Sequence, residues 1–216
     1  MNERIGIDNH LADKIWLGIT VFFGLQLRDP SAWAAFVAAE LKRIKVAHLQ
    51  SLPAGFAWSR RLYRSLRIDP TRHRPSSEAL WRRLRDHDDF PRLEPLVEFS
   101  NLLSLVLQVP FGLYDLEKIS GPIRLDIGAA GEGYPGIQRG IIDLGGKPVL
   151  RDAVGPFGNP SADSQRTSIT AASRDAMLVL FFCRDDPDQA SLLNEPLRVF
   201  DRFFGCRERR AYLQDQ

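Results

Sequence analysis

The stretch FPRLEPLVEFSNLLSLVLQVPFGLYDLEKISG, Phe90–Gly121, is the one from which we predict the fold. Pro91 and Pro95 suit the entry to a helix, because proline is tolerated in the first turn but not in the interior. The pattern that follows predicts a helix over residues 96–108. Its apolar face is too broad for a helix lying on a surface, so we place this helix in the core. That face consists of Leu96, Phe99, Leu102, Leu103, Val106 and Leu107.

The opposite side of this helix is polar but almost uncharged. It carries Glu98, Ser100, Asn101, Ser104 and Gln108, and it has no Lys or Arg. A neutral arc of hydrogen-bonding groups is typical of a helix that lines a pocket. The same groups could instead bond neighbouring loops or water, and on chemistry alone this second interpretation is favoured.

Four short sequence boxes follow one another along the chain. They are RPSSEAL at 74–80, LVEFSN at 96–101, PFGLYDLEKI at 110–119 and RTSIT at 166–170. In this order they resemble the free-standing B3/4-domain proteins and the related aminoacyl-tRNA editing module of the phenylalanyl-tRNA synthetase β subunit. Four ordered boxes are far more specific than one short motif. The resemblance is weak before Arg60 and absent after about Arg184.

The resemblance implies a β core of barrel-like character flanked by helices. It implies a single B3/4-type domain over residues 1–216, with the motif-bearing core at about 60–184 and a C-terminal helical extension at 185–216. The residue patterns agree, because helical patterns cluster in the first half of the chain and strand patterns follow in the second. That order is typical of an α+β domain with a mixed or antiparallel central sheet, and 216 residues are enough for one sizeable core.

Local patterns predict the other main elements. Lys14–Gln26 predicts a strand because it is rich in β-branched and aromatic residues. Asp29-Pro30 predicts the capped start of a helix, and Ser76 is predicted to cap another. Met177–Cys183 predicts a buried strand. Asp188–Phe204 predicts a final amphipathic helix.

Basic residues concentrate in one segment of a nearly neutral chain. Lys42–Arg85 contains twelve Lys and Arg against two acidic residues, a net charge of +10, whereas the remainder carries −8. Such asymmetry is typical of a face that binds a polyanion. On charge alone, pairing of these arginines with the acidic remainder is an equal alternative. The resemblance implies aminoacylated tRNA as the partner, with contacts from Arg60, Arg61, Arg64, Arg72, Arg74 and Arg83.

Missing motifs exclude several classes of enzyme. The four histidines and two cysteines show no metal-ligand spacing, and neither a Gly-x-Ser-x-Gly elbow nor a P-loop is present. We therefore expect no metal, no cofactor and no covalent nucleophile. The longest apolar run is too short to span a bilayer and no signal peptide is evident, so we expect a cytoplasmic protein without a membrane partner.

An activated ester can still be hydrolysed by a site that positions a water molecule. Aminoacyl-tRNA is such an ester, and its hydrolysis needs a side-chain pocket, a contact for the 3′ adenosine and donors for the developing oxyanion. Backbone in the glycine-containing segment 155–158 is the candidate for those donors. The candidate catalytic residues are Asn101, Asp163 and Thr167. The candidate substrate-binding residues are Glu98, Ser100, Tyr114, Asp115, Gly155, Gly158, Gln165 and Arg166.

The chain departs from the editing module at two positions. Gly112 stands where the module often has a histidine, and Gln165 lies near a position where it uses a glutamate. Asp163 is a nearby carboxylate that could substitute for that glutamate. Arg166 matches the free-standing relatives, but it could also serve the fold by pairing with Asp115 or Asp163.

Three functions follow from these observations. The leading hypothesis is a deacylase that clears mischarged tRNA in trans. The second is a tRNA- or RNA-binding module that kept the fold and lost the chemistry, which the departures at Gly112 and Gln165 favour. The third is a protein that binds a small molecule in the same pocket, and the basic segment argues against it.

Overall fold

The computed structural model describes residues 5–48, 53, 55–185 and 194–214. Within them, helices α1–α6 span Asn9–Ala12, Pro30–His48, Phe56–Ser65, Ser76–His87, Pro95–Leu107 and Asn194–Phe203. Strands β1–β12 span Gly6–Ile7, Ile15–Phe23, Gln26–Leu27, Phe111–Asp115, Arg124–Ile127, Gly133–Pro135, Ile141–Asp143, Pro148–Arg151, Pro156–Gly158, Ala176–Cys183, Phe204–Gly205 and Glu208–Gln214. None of these helices combines the length and the apolar composition needed to cross a membrane.

The first sheet has the strand order β12-β2-β10-β4, and all its pairs are antiparallel. Strand β10 lies between β2 and β4, and all eight of its residues are buried. A continuous apolar run such as AMLVLFFC is what a strand covered on both faces requires. The predicted buried strand at Met177–Cys183 is therefore confirmed.

The second sheet has the order β1-β5-β8-β9 and is mixed. Strand β1 pairs with β5 in parallel, and the other two pairs are antiparallel. Strands β6 and β7 form a two-stranded pair, as do β3 and β11. The α+β class with mixed and antiparallel sheets is confirmed, although the described strands form separate sheets and no closed barrel.

Two apolar cores lie on opposite faces of the first sheet, because successive side chains of a strand point to opposite sides. Leu178 and Leu180 of β10 belong to the core shared with α2, α4, α5 and α6. Met177 and Val179 belong to the core between the two sheets. The burial of α5 between the sheet and other helices explains why its sequence is apolar around most of its circumference.

Helix α5 is confirmed within one residue at each end. Its N-terminal half packs on α2, where the rings of Trp33 and Phe99 lie 6.3 Å apart. The prediction that Val106 belongs to the core face is wrong, because Val106 is 40% exposed while its neighbour Leu105 is buried. The error has a physical reason: Leu105 and Val106 are adjacent apolar residues, and several polar residues of α5 are buried as well, so the sequence shows no sharp boundary between the buried and the exposed side.

One of the two predicted helix caps is confirmed. Asp29 Oδ1 accepts hydrogen bonds from the backbone N–H groups of Ser31 and Ala32 at 2.9 and 3.0 Å, so Asp29 caps α2. The prediction for Ser76 is wrong, because Pro75 occupies the cap position of α4. The Ser76 N–H instead donates to the carbonyl of Pro160 at 3.1 Å, which ties α4 to a distant loop.

The C-terminal segment differs from the predicted helical extension. Helix α6 begins at Asn194, and the earlier part of the predicted helix, 188–193, lies outside the described residues. After α6, strand β12 joins the edge of the first sheet and pairs with β2 from Glu208 to Gln214. The strand was missed because its sequence, ERRAYLQ, is charged on an edge that faces solvent, so it lacks an apolar alternation.

Candidate functional site

The carboxylate of Asp163 lies against strand β4 and receives two hydrogen bonds from it. The Tyr114 hydroxyl donates to Asp163 Oδ1 at 2.8 Å, and the Leu113 N–H donates to Oδ2 at 3.4 Å. The Asp163 carbonyl accepts from the Ile137 N–H at 3.2 Å. Asp163 is thus fixed at both its side chain and its backbone.

Two glycines make the room that the Tyr114 hydroxyl occupies. A Cβ atom at Gly112 would overlap with the Tyr114 hydroxyl and crowd the carboxylate of Asp163. A Cβ atom at Gly158 would overlap with the same tyrosine ring from strand β9. A histidine at position 112 is therefore incompatible with Tyr114 in this position, which gives a physical reason for glycine there.

The loop that carries Asp163 is held by two further tyrosines. The Tyr63 hydroxyl, from α3, lies 2.7 Å from Ser161 Oγ. The Tyr134 hydroxyl, from β6, donates to the Ala162 carbonyl at 2.6 Å. Asn159 folds the loop on itself, because its Oδ1 accepts from the backbone N–H groups of Ser161 and Ala162 at 2.7 and 3.0 Å. Side chains from α3, β4 and β6 thus all contact the loop 159–164.

The surroundings of Asp163 change its acidity. Burial raises the pKa of Asp163 to about 7, against the opposing effect of the hydrogen bonds from Tyr114 and Leu113. Burial, with the nearby Asp163 charge as a second cause, raises the pKa of Tyr114 well above its usual value. Tyr114 therefore stays a hydroxyl donor, while Asp163 can take or give a proton near neutral pH.

The late box RTSIT contributes to the fold more than to this carboxylate. Arg166 donates to both carboxylate oxygens of Asp152 at 2.9 and 3.1 Å, and also to the carbonyls of Lys118 and Gly155. It therefore pairs with neither Asp115 nor Asp163. Thr167 is completely buried, and its Oγ1 lies 3.5 Å from the Phe157 carbonyl. Gln165 is exposed.

The backbone donors expected at 155–158 are largely used inside the protein. The Gly155 N–H donates to Asp152 Oδ1 at 3.1 Å, in the same arrangement that holds Arg166. Gly158 is buried under the Tyr114 ring. Of the predicted substrate-binding residues, the structure brings Tyr114 and Gly158 to Asp163, and it keeps Gly155 in the neighbouring ion-pair cluster.

Comparison with known proteins identifies the family. The family model of the B3/4 domain matches residues 58–187, which is more than half of the chain. The chain belongs to the B3/4-domain family. A crystal structure of an N-terminal fragment of the phenylalanyl-tRNA synthetase β subunit from Pyrococcus horikoshii is similar in fold, with a TM-score of 0.50 and 12% identity. The match covers 99% of this chain but 50% of that one, so the chain spans half the length of the matched fragment. No curated protein matches the chain.

The predicted polar arc of this B3/4 domain on α5 is used mostly within the fold. Glu98 is buried, accepts from Trp33 Nε1 at 2.9 Å and pairs with Arg92 at 2.9 Å. Ser100 Oγ donates to the Val97 carbonyl at 2.9 Å. Asn101 is partly exposed and has no hydrogen-bond partner among the described residues. No hydrogen bond in the described part of the chain joins these residues to Asp163.

Asp115, the remaining predicted substrate-binding residue, has a structural arrangement of its own. Its carboxylate accepts from Ser173 Oγ at 2.6 Å and from the Glu117 N–H at 3.1 Å, and Lys118 lies 3.4 Å away. It is buried and caps the short turn after β4. In this B3/4 domain it fixes the end of the strand that carries Tyr114.

The basic segment divides into two groups of arginines. The first group is paired: Arg60 and Arg82 both bind the buried carboxylate of Glu78, and Arg83 pairs with Asp89. The second group is exposed and forms no ion pair among the described residues, although the charge of Arg72 helps to lower the pKa of Asp69. It consists of Arg61, Arg64, Arg67, Arg72 and Arg74, and we call it the free arginine face. The pairing interpretation is therefore confirmed for the first group, and polyanion binding stays a prediction for the free arginine face.

Several residues of this site escaped the sequence interpretation. Nothing in the sequence indicated that Tyr63 reaches Ser161, 98 positions away. Tyr134 and Asp152 carried no motif signal at all. No local pattern indicated that three tyrosines contact the loop that carries Asp163. Among the described residues, no group of three or more His, Cys, Asp or Glu side chains is placed to hold a metal ion.

Proposed function

We propose that this B3/4 domain is an aminoacyl-tRNA deacylase that hydrolyses the ester of mischarged tRNA in trans, in the cytoplasm. The observation that carries the proposal is Asp163, a partly exposed carboxylate with a pKa of about 7, on a loop that contacts α3, the helix that carries Arg61 and Arg64. A group with such a pKa can act as a base near neutral pH. Exposed arginines without carboxylate partners supply the sites that a phosphate backbone needs.

Helix α3 links the two features. Its inner face carries Tyr63, which contacts the Asp163 loop, and its outer face carries Arg61 and Arg64. The loop after α3 carries Arg72 and Arg74, and it leads into Ser76, whose N–H binds the carbonyl of Pro160. An RNA strand lying along the free arginine face would therefore have its end within reach of the loop that carries Asp163.

The proposed reaction is the attack of one water molecule on the ester carbonyl. Ionised Asp163 accepts the proton that the water loses, and the ribose oxygen that leaves takes up a proton, so that the products are a free amino acid and uncharged tRNA. Tyr114 orients the carboxylate by donating to one of its two oxygens. The free hydroxyl of the terminal ribose helps to place the water.

The other predicted site residues take supporting roles in this proposal. Asn101 is the partly exposed polar group on α5 that is free to contact the substrate. Thr167 and Arg166 hold the 155–167 segment by buried contacts, rather than touching the reacting atoms. Glu98, Ser100 and Asp115 fix α5 and β4 by their hydrogen bonds.

A second candidate function is tRNA or RNA binding without catalysis. The specific observation in its favour is the Tyr114 hydroxyl, which covers one oxygen of Asp163. Gly112 and Gln165 also lack the functional groups that the editing module has at these positions. The free arginine face serves this function equally well, so the two candidates differ only in the chemistry at Asp163.

A deacylation assay separates the two candidates. Correctly and incorrectly charged tRNAs are incubated with the wild-type protein, with Asp163→Asn, and with Asp13→Asn as a control at an exposed carboxylate. We expect release of the amino acid from at least one mischarged tRNA, a loss of about 100-fold in Asp163→Asn and no loss in the control. Binding of tRNA without any deacylation across the panel would support the non-catalytic function and remove the deacylase.

A further inference from the structure

A cavity of about 410 Å³ lies on a different part of the molecule from Asp163. Its walls are the paired strands β3 and β11, the N-terminal end of α5 and the loop 169–174. Leu25, Leu96 and Phe204, all buried, form its apolar floor. A cavity of this size falls within the range of natural small-molecule sites.

Two opposite charges line this cavity without pairing. Glu94 and Arg174 both contribute to its lining, and among the described residues neither forms an ion pair with the other or with any third residue. Arg174 Nη1 donates to the carbonyls of Ala171 and Ser173 at 2.9 and 3.0 Å. The other two guanidinium nitrogens contact no acceptor in the described part of the chain, so they are available to a ligand.

The wall that carries Arg174 is fixed in advance. Ser173 Oγ accepts from the Thr170 N–H at 2.9 Å and donates to the buried carboxylate of Asp115 at 2.6 Å. The Arg174 carbonyl accepts from the Leu25 N–H at 2.7 Å, which joins the loop to the opposite wall. A preformed wall lowers the entropic cost of binding, because little has to be ordered when the ligand enters.

We propose that this cavity binds a free α-amino acid with an apolar side chain, as its zwitterion. The ammonium group pairs with Glu94, the carboxylate pairs with Arg174, and the side chain lies on the floor of Leu25, Leu96 and Phe204. A zwitterion satisfies both charges at once, whereas a simple acid or a simple amine satisfies one. The site is independent of the proposed deacylase chemistry, since neither Asp163 nor the free arginine face lines it.

Titration calorimetry with matched ligands tests the assignment of each charge. The probes are L-leucine, L-methionine, L-phenylalanine and L-tryptophan, and we expect saturable binding of at least one in the millimolar range or tighter. For L-leucine, the matched analogues are 4-methylpentanoate, which lacks the ammonium group, and 3-methylbutylamine, which lacks the carboxylate. The corresponding deaminated and decarboxylated analogues are used if another amino acid binds more tightly.

The variants should separate the two charges. Glu94→Gln should weaken the binding of the amino acid about tenfold. It should leave the binding of the deaminated acid unchanged, because that acid has no ammonium group to pair with Glu94. Arg174→Gln should weaken the binding of the amino acid to a similar extent and leave the binding of the decarboxylated amine unchanged. Glu117→Gln, at an acidic side chain of another cavity, is the matched control and should change nothing.

Three results would overturn the proposal. The first is the absence of binding by all four amino acids, and the second is binding that neither Glu94→Gln nor Arg174→Gln changes. The third is loss of binding in Asp163→Asn, which would place the ligand at the other site. Because the assay uses no tRNA, its failure leaves the deacylase proposal intact, and a failed deacylation assay leaves this site intact.

Discussion

The hydrogen bond from Tyr114 to Asp163 sets the protonation chemistry of the candidate site. The tyrosine stays neutral because its hydroxyl is buried beside a carboxylate, while burial brings the pKa of Asp163 to about 7. The two partners are 49 positions apart in the chain, so their meeting is a property of the fold. Small changes in pH near neutrality therefore change the charge at the centre of the site.

This raised pKa predicts a loss of stability as the pH rises. The usual pKa of an aspartate is close to 3.8, so between about pH 4 and pH 7 the folded protein keeps a proton on Asp163 that the unfolded chain has lost. In that window the group removes up to about 1.4 kcal/mol of stability for each pH unit, and above it the loss levels off. Asp163→Asn should therefore melt at a higher temperature than the wild-type protein at pH 8, and the two should converge near pH 4.

Thermal melts at closely spaced pH values measure this difference. Asp13→Asn is the control, because Asp13 is exposed and its pKa is lowered by the contact with Lys14. If the wild-type protein and Asp163→Asn keep a constant difference in melting temperature from pH 4 to pH 8, then Asp163 does not titrate in this range in the folded state.

The close approach of Tyr114 to Gly112 predicts a coupled pair of substitutions. A methyl group at position 112 overlaps with the Tyr114 hydroxyl, so Gly112→Ala should destabilise the protein by about 1–3 kcal/mol. In the background of Tyr114→Ala, which removes both the hydroxyl and the ring carbon that the added methyl group meets, the same substitution should cost clearly less. Chemical denaturation of the four proteins gives the coupling free energy.

Gly140→Ala is the matched control for this cycle, because a Cβ atom there meets nothing within 4 Å. It should change the free energy of unfolding by less than about 0.5 kcal/mol. Additive effects of Gly112→Ala and Tyr114→Ala would mean that the tyrosine side chain does not occupy the space beside Gly112.

At the scale of elements, the box RPSSEAL joins α3 and α4 to the Asp163 loop. The side chain of Glu78 is fully buried and accepts from Arg60 at 2.7 and 2.8 Å and from Arg82 at 3.0 Å. Ser76 ties the start of α4 to Pro160. The box therefore holds α3 and α4 against the Asp163 loop, and its first residue, Arg74, belongs to the free arginine face.

This division of the arginines predicts which substitutions weaken RNA binding. Arg61→Glu with Arg64→Glu should lower tRNA affinity strongly and reduce its dependence on salt, because both side chains are exposed and unpaired. Arg83→Glu with Arg85→Glu should have a smaller effect, because these two arginines are already neutralised by Asp89 and Asp86. Affinities are measured at several salt concentrations.

Circular dichroism on both double variants checks that the fold is kept. The result that would contradict the assignment is an equal loss of affinity in the two double variants. Affinity that ignores salt in the wild-type protein would contradict the whole face, since phosphate contacts release counterions.

At the scale of the whole molecule, elements with a local signal were predictable from the sequence. The helix α5, the cap at Asp29 and the buried strand β10 each depend on residues that are neighbours in the chain. The family was also predictable, because four boxes in a fixed order carry much more information than any single motif. The α+β class followed from the order of helical and strand patterns.

Features that depend on distant pairs were not predictable. The sequence offered Asp115 and Asp163 as partners of Arg166. The guanidinium pairs with Asp152 instead, because the connection between β8 and β9 places that carboxylate next to it. Strand β12 lacks an apolar alternation and exists because β2 offers it an open edge. The ion pair between Arg60 and Glu78 and the hydrogen bond from Trp33 to Glu98 likewise depend on how the helices pack rather than on local sequence.

The central claim is that ionised Asp163 takes the proton from the attacking water. The most direct measurement is the single-turnover rate of deacylation of a mischarged tRNA between pH 5.5 and pH 8.5, with control for uncatalysed hydrolysis at each pH. We expect the rate of the wild-type protein to rise with a midpoint of about 7, the pKa of Asp163, and then to level off. The rate of Asp163→Asn should no longer rise with this midpoint and should be much lower throughout, while Asp13→Asn should keep both the rise and the rate. The same profile and the same rate in Asp163→Asn as in the wild-type protein would contradict the claim.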